Sequence, residues 1–299
     1  MKRKDQYKIS LGIDIGGTNL KIGLVKNNKI IKKGIFKTEK NFDNQRFGDY
    51  LIKIMEKFIK GYKIDKIGIG IAGYVFYEKG ILKFSPNLPR LKNFPLKKII
   101  EKYFQVETSV LNDADAMVIG EYFYHNKRYK NLITITLGTG VGSGIILNNK
   151  LLFNSEFGHT ILIPNGYLCS CGKKGCVESY LGSYGMLRIA KDFYKKETKD
   201  LTPQKIYEMA KKKDKKALKT IERYSYYLAI ALSNLTNLFN PEIIILNGGI
   251  SNMGSLLLKF IKPILKENIF YLPKIKISNL KDIAGIIGAV NFLRFGGGG

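Results

Sequence analysis

Two stretches of this chain, residues 8–25 and 131–147, follow one plan, and that echo limits the architectures open to it. In the first, Lys-Ile-Ser-Leu-Gly-Ile-Asp-Ile-Gly-Gly-Thr-Asn-Leu-Lys-Ile-Gly-Leu-Val, the apolar residues Ile9, Leu11, Ile13 and Ile15 alternate, and the alternation resumes at Leu20, Ile22 and Leu24. A period of two is the signature of a strand, so the stretch reads as strand, tight turn, strand. The second, Asn-Leu-Ile-Thr-Ile-Thr-Leu-Gly-Thr-Gly-Val-Gly-Ser-Gly-Ile-Ile-Leu, again runs a strand through a turn rich in glycine and threonine. A repeated unit of this kind predicts two similar α/β domains. At 299 residues the chain is long enough for both.

The turns point to phosphate. Gly16 and Gly17 in the first, and Gly138 and Gly140 around Thr139 in the second, expose backbone N–H groups that can approach phosphate oxygens. Thr18 and Asn19 add hydrogen-bonding groups, and Asp14, at a strand end, could hold Mg²⁺ through water. Two such hairpins across one cleft could grip a triphosphate from both sides.

Between and after the hairpins, strands and helices alternate. A third strand is expected at Ile30–Thr38, an amphipathic helix at about Phe42–Lys60, and a buried strand at Lys66–Ala72, which gives the sheet parallel character. Pro86 and Pro89 bracket a loop with Asn87 at its apex. A strand at Val106–Leu111 leads into Asn112 and Asp113, then a helix to about Asn126. Either residue could cap that helix, and a carboxylate at a strand's carboxyl end also faces the crevice where open α/β sheets bind ligands.

Farther on, helices are expected at Glu178–Lys195, Pro203–Lys211 and Lys215–Phe239, the last with Leu228, Leu232, Leu235 and Leu238 as core. The lysine-rich run 211–216 reads as a solvated helix junction. A strand at Glu242–Leu246 ends in Asn247-Gly248-Gly249, where the glycine pair could let adenine and ribose lie on the backbone. A helix from Ser251 to about Asn268, a strand at Lys274–Ser278 and a helix at Ile283–Arg294 follow. In the last helix Gly285 and Gly288 would allow close packing. Gly296–Gly299 reads as a disordered end.

The chain's three cysteines and one of its two histidines fall within residues 156–178. His159, Cys169, Cys171 and Cys176 form a Cys₃His donor set suited to tetrahedral Zn²⁺. Gly172 and Gly175 would let the loop bend around one ion. An odd cysteine number and a charged start without an apolar leader argue against disulfides and for a cytoplasmic, reducing location.

The formal net charge of +26 raises the question of nucleic acid. A dedicated binder concentrates basic residues on one element, whereas here lysines are spread over nearly every segment. No dedicated nucleic-acid binding is expected. No segment approaches the roughly 18 apolar residues that span a bilayer, so no membrane partner is expected either.

Together these stretches resemble the ROK family of sugar kinases and repressors, within the sugar-kinase, Hsp70 and actin superfamily. The most specific part is Glu156-Phe-Gly-His159 followed by Cys-Ser-Cys-Gly-Lys-Lys-Gly-Cys-Val-Glu178. The resemblance implies an α/β fold of two ribonuclease-H-like (actin-like ATPase) domains flanking a cleft. Residues 1–113 with about 282–295 would form the smaller domain, and 114–281 the larger, carrying the zinc loop 156–178. It implies sugar contacts from Asn87, Asn112, Asp113, Glu156, His159 and Glu178, with Asp113 as catalytic base. His159, Cys169, Cys171 and Cys176 would hold structural zinc, and phosphates would lie against Gly16–Thr18 and Gly138–Gly140.

The implied activity is an ATP-dependent, Mg²⁺-assisted hexose kinase acting on glucose, in a homodimer. A kinase for fructose, mannose, N-acetylglucosamine or N-acetylmannosamine, a polyphosphate donor, and a sugar-sensing regulator without turnover stay open. Two departures stand out. Ile71-Ala-Gly-Tyr74 lacks the proline frequent in the family's loop, and Asp115 replaces a frequent asparagine. Some ten residues precede the first hairpin, too few for the winged-helix domain of the repressors.

Overall fold

A computed structural model describes residues 8–195 and 200–295; the Gly296–Gly299 run and the first seven residues lie outside them. The described residues form two compact units. One comprises the chain up to Arg128 together with Asp282 onward, the other Tyr129–Lys281.

The first unit is built from β1 (Ile9–Ile15), β2 (Asn19–Lys26), β3 (Lys29–Lys37), α1 (Asn44–Ile59), β4 (Ile64–Ile71), β5 (Tyr74–Phe76), β6 (Ile81–Phe84), β7 (Lys92–Phe94), α2 (Leu96–Phe104), β8 (Thr108–Asn112) and α3 (Asp113–Tyr124). Its main sheet has the order β3-β2-β1-β4-β8. The β1–β2 and β2–β3 pairs are antiparallel, and β1–β4 and β4–β8 are parallel. The alternating residues Leu11, Ile13, Ile15, Leu20 and Ile22 meet Phe47, Leu51 and Met55 of α1 in one core. Asp43 starts α1 by accepting from Arg46 N at 2.9 Å, which satisfies one of the otherwise orphaned amides of the first turn.

The second unit repeats the scheme with β9 (Leu132–Leu137), β10 (Val141–Leu147), β11 (Lys150–Leu152), α4 (Val177–Leu181), α5 (Ser183–Tyr194), α6 (Pro203–Lys211), α7 (Lys215–Phe239), β12 (Ile243–Asn247), α8 (Ser255–Glu267) and β13 (Lys274–Ile277). The order is β11-β10-β9-β12-β13, again with an antiparallel hairpin followed by parallel pairing of β9 with β12. The echo between residues 8–25 and 131–147 is therefore an echo of sheets.

After β13 the chain returns to the first unit as α9 (Ala284–Phe295). Helix α9 lies close to β1 and α3 because glycines line the contact. A Cβ on Gly12 would stand 2.5 Å from Ile286 O, and one on Gly288 would collide with Ala116 O. Gly288 thus fills the packing role expected of it. The same contact ties α9 to α3, and both lie in the first unit.

Other expectations need correction. The helix expected over Glu178–Lys195 is two, α4 and α5. Gly182 between them is extended (φ −72°, ψ 169°), and its Cα lies so near Thr139 that a Cβ would be 2.7 Å from the carbonyl. Leu238 is 75% exposed, while Leu228, Leu232 and Leu235 are core. The last turn of α7 has passed beyond the packing surface, and Asn240 in the left-handed region closes the helix. The helix expected from Ser251 opens as a 3-10 segment, Ile250–Met253, and becomes α8 only after Gly254. The small sheet β5-β6-β7 and helix α2 were not expected at all.

Candidate functional site

In the first unit the candidate residues gather at the carboxyl ends of β1 and β8. Asp14 is nearly the last residue of β1 and only 3% exposed. The antiparallel register sets it opposite Lys21, whose Nζ is 3.4 Å from Asp14 Oδ2. Burial raises the Asp14 carboxyl above the usual carboxylate range, and Lys21 opposes that rise. The turn after β1 is held in three places. Gly16 N donates to Asn19 O at 3.0 Å, Thr38 N to Thr18 O at 3.0 Å, and Thr38 Oγ1 to Gly16 O at 2.9 Å. Thr18 and Asn19 are left exposed at its tip.

Asn87 stands at the apex of the proline-bracketed loop, exposed, with its side chain against Gly17: a Cβ there would be 3.0 Å from Asn87 Cγ. Ser85 Oγ holds the loop by accepting from Leu88 N at 3.2 Å. Asn112 caps α3, its Oδ1 accepting from Ala114 N and Asp115 N at 2.8 and 3.2 Å, while its Nδ2 donates to Gly73 O at 2.9 Å. With Asn112 Oδ1 spent on the cap and one Nδ2 hydrogen still free to donate, the half-buried Asp113, whose own Oδ1 accepts from Ala114 N at 3.0 Å, is the adjacent carboxyl at the strand's end. Its pKa is pushed up to about 7, by burial first and by the charge of Asp14 second. Asp115, fully buried, accepts from the Tyr77 hydroxyl and adds a smaller upward push on Asp113.

In the second unit, Gly138, Thr139 and Gly140 join β9 to β10. Gly138 O accepts from Ser183 N and Oγ at 2.9 and 2.8 Å, which seats the turn on the start of α5. A Cβ on Gly138 would meet nothing within 4 Å, so that side of the turn is open. Glu178, in the first turn of α4, accepts from Val141 N at 3.1 Å through Oε2 and from Ser170 Oγ at 2.7 Å through Oε1. Glu156 is exposed and precedes the 3-10 turn Phe157–His159; its Oε2 is 4.0 Å from His159 Nε2. Burial raises its carboxyl, His159 lowers it and Glu178 raises it. Gly248 and Gly249 follow β12. Gly248 is in the left-handed region (φ +88°) and packed on Leu137 O, while Gly249 faces open space.

His159, Cys169, Cys171 and Cys176 converge. Their ligand atoms all lie within 4.8 Å of one another, and the three thiols are free of disulfides. His159 Nδ1 is 3.8 Å from Cys169 Sγ, and Cys171 Sγ is 3.7 Å from Cys176 Sγ. Sulfurs bound at about 2.3 Å in a tetrahedron stand about 3.8 Å apart, so the spacing fits zinc. Gly172 and Gly175 take φ of +86° and +83° to make the bend. With Nδ1 toward the thiols, His159 keeps Nε2 on the Glu156 side.

Residues 10–294 match the family model described as ROK family. The chain belongs to the ROK family. Within that family it is 32% identical to a glucokinase of Thermotoga maritima, over 95% of this chain and 96% of that protein. It is 30% identical to a xylose repressor of Caldicellulosiruptor bescii, over 94% of this chain and 76% of the repressor. A ROK family glucokinase from Streptomyces griseus, solved with glucose and AMPPNP, superposes with a TM-score of 0.84 at 29% identity, covering 96% of this chain and 100% of that one. The mixed α/β fold is thus that of ROK sugar-kinase structures.

Five partners escaped the sequence reading: Lys21 beside Asp14, Thr38 under the first turn, Tyr77 on Asp115, and Ser170 and Val141 on Glu178. Only Lys21 had a local signal. It lies seven residues after Asp14 across a tight hairpin, which pairs the two positions.

Proposed function

We propose that the chain is an ATP-dependent hexose kinase that phosphorylates glucose. The observation carrying this reading is Asp113: a carboxyl at the end of a parallel strand, close enough to feel the charge of Asp14, with its pKa pushed up to about 7. A sugar hydroxyl is a weak nucleophile at neutral pH, and a base of matched pKa serves it best, typically by about 10²- to 10⁴-fold. Asp113 would take the hydroxyl proton as the oxygen attacks the γ-phosphorus and the bond from that phosphorus to the β-phosphate oxygen breaks, releasing ADP. Within the Gly16–Thr18 and Gly138–Gly140 turns, Gly16 N and Gly138 N are spent on Asn19 O and Gly140 O, so the other backbone N–H groups of the two turns would hold the phosphates, with Gly248 and Gly249 under the nucleoside. Asp14 would position Mg²⁺, which neutralises phosphate charge when bound.

Asn87, Asn112, Glu156, His159 and Glu178 would fix the sugar hydroxyls, His159 through Nε2. The four-donor cluster would hold zinc as a closed structural site, ordering the loop that carries Glu156 and Glu178. The matching strand orders of the two sheets support reading the units as ribonuclease-H-like domains. Among the described residues no helix is long and apolar enough to cross a membrane. A cytoplasmic location and a homodimer complete the reading.

A coupled assay of the purified chain with glucose, fructose, mannose, N-acetylglucosamine and N-acetylmannosamine, and with ATP or polyphosphate, ranks the candidates by kcat/KM. Glucose with ATP is expected to lead, and turnover only with another sugar would move the assignment to that sugar. The repressor relative favours a second reading, a sugar-binding regulator. Sugar binding by calorimetry with no phosphoryl transfer from either donor would establish it in place of the first.

A further inference from the structure

Ser170 has no part in the reading above. It lies exposed between two cysteines of the cluster, Cys169 and Cys171, and its hydroxyl donates to Glu178 Oε1 at 2.7 Å. The other oxygen of Glu178 accepts from Val141 N at 3.1 Å, where the 138–140 turn enters β10. One carboxylate therefore joins the cysteine loop to the backbone of the second hairpin. The joint is tight. A Cβ on Gly140 would collide with Glu178 Oε2, and the next residue after α4, Gly182, abuts Thr139 O.

Cys169 Sγ also lies near this carboxylate, 3.6 Å from Oε1. A cysteine committed to a metal is a thiolate, however, and has no proton to donate. In the metal-loaded loop the Ser170 hydroxyl is the donor that still ties Oε1. Hydrogen bonds to a charged acceptor are the stronger kind, and fixing one oxygen restricts rotation of the whole carboxylate. Val141 N, at the other oxygen, is held in a fixed direction only while that rotation is restricted.

We propose that Ser170 is a positioning residue: through Glu178 it passes the order of the Cys₃His loop to the backbone of the 138–141 turn. The consequence for nucleotide affinity rests on the kinase reading; the coupling of loop to turn does not.

Hydrogen exchange of the Val141 amide in the full, zinc-loaded chain tests this, comparing the natural protein with Ser170→Ala and Ser170→Thr. Ser170→Ala is expected to speed Val141 exchange about tenfold, the loss of one charge-assisted hydrogen bond. Ser170→Thr should restore it, and zinc per chain should stay constant in all three. Chelation of the natural protein gives a measure independent of any variant: it should speed the same amide, and should add little in Ser170→Ala, because both act through one link. AMPPNP affinity is expected to fall about threefold to tenfold in Ser170→Ala. Unchanged Val141 exchange overturns the inference, as does loss of zinc in Ser170→Ala; faster Val141 exchange with an unchanged AMPPNP affinity overturns its consequence for nucleotide binding. A natural protein that binds no AMPPNP sinks the kinase reading instead and leaves the amide result standing.

Discussion

Asp14 and Lys21 face each other across the first hairpin, with Lys21 Nζ 3.4 Å from the Asp14 carboxylate, and Asp14 is the more deeply buried of the two. Burial raises the Asp14 pKa even with Lys21 present. Removing Lys21 raises it further, so the cost of the ionised form grows as pH rises. Lys21→Met is expected to lower stability by about 3 kcal/mol at pH 8, the low end of the range for stranding a buried charge because Lys21 is partly exposed, and by clearly less at pH 5. Urea denaturation at both pH values checks this. An equal loss at both would show that the lysine acts through packing alone.

Asp113→Asn removes the proposed base while keeping its shape. The expected result is a fall in kcat of about 10²-fold or more with sugar affinity nearly unchanged. Near-normal turnover would take Asp113 out of the role.

The same substitution makes a stability prediction of definite sign. The folded-state pKa of Asp113, about 7, lies above the unfolded value, so its protonated form is favoured by folding. That contribution is full below the unfolded pKa and is lost as pH rises through about 7. Asp113→Asn, uncharged throughout, is therefore expected to raise stability at pH 8 by on the order of 1–3 kcal/mol, and to change it little near pH 4. Thermal melts across that range read the difference directly.

The charge of Asp14 is the second cause of the raised Asp113 pKa. In the active enzyme kcat/KM should drop as pH falls through about 7, when the base takes up its proton. Asp14→Asn should move that acidic limb to lower pH, whatever it does to the plateau. A limb that stays in place, or moves upward, would assign it to another group.

Two glycines of unlike surroundings make a contrast in packing. A Cβ on Gly288 would collide with Ala116 O, whereas one on Gly249 would meet nothing within 4 Å. Gly288→Ala is expected to cost about 3 kcal/mol or more, or to prevent folding, because α3 and α9 would have to separate. Gly249→Ala should melt close to the natural protein. Equal melting temperatures for the two variants would contradict the close contact.

Much of this was legible in the residue order, and the reasons are local. Hairpins announce themselves through period two and glycine, and both sheets grew from hairpins read in that way. The Cys₃His cluster was visible because rare residue types crowd one segment. What stayed hidden depends on residues far apart in the chain. Val141 and Glu178 are 37 positions apart, and nothing in either neighbourhood announces a hydrogen bond. Leu238 continues the helical spacing of Leu228, Leu232 and Leu235, yet periodicity does not say where the neighbouring elements end. The strands β5 and β7 are three residues each, too short for a period to register. Gly182 looked like any small residue in a helix until Thr139 proved to lie against it.

Helix α9 carries a consequence for the order in which the molecule is made. The second unit is one unbroken stretch of chain, so all of its strands and helices have been synthesised once residue 281 has emerged. The first unit holds β1, made before any of the second unit, and α9, made after all of it. The glycine-lined face around Gly12 therefore has no cover from α9 until residues 284–295 have been made. Domains commonly fold as units during synthesis, N-terminal first. Here the unit that starts first is finished last, and its bare face waits behind a completed neighbour for twelve residues to arrive.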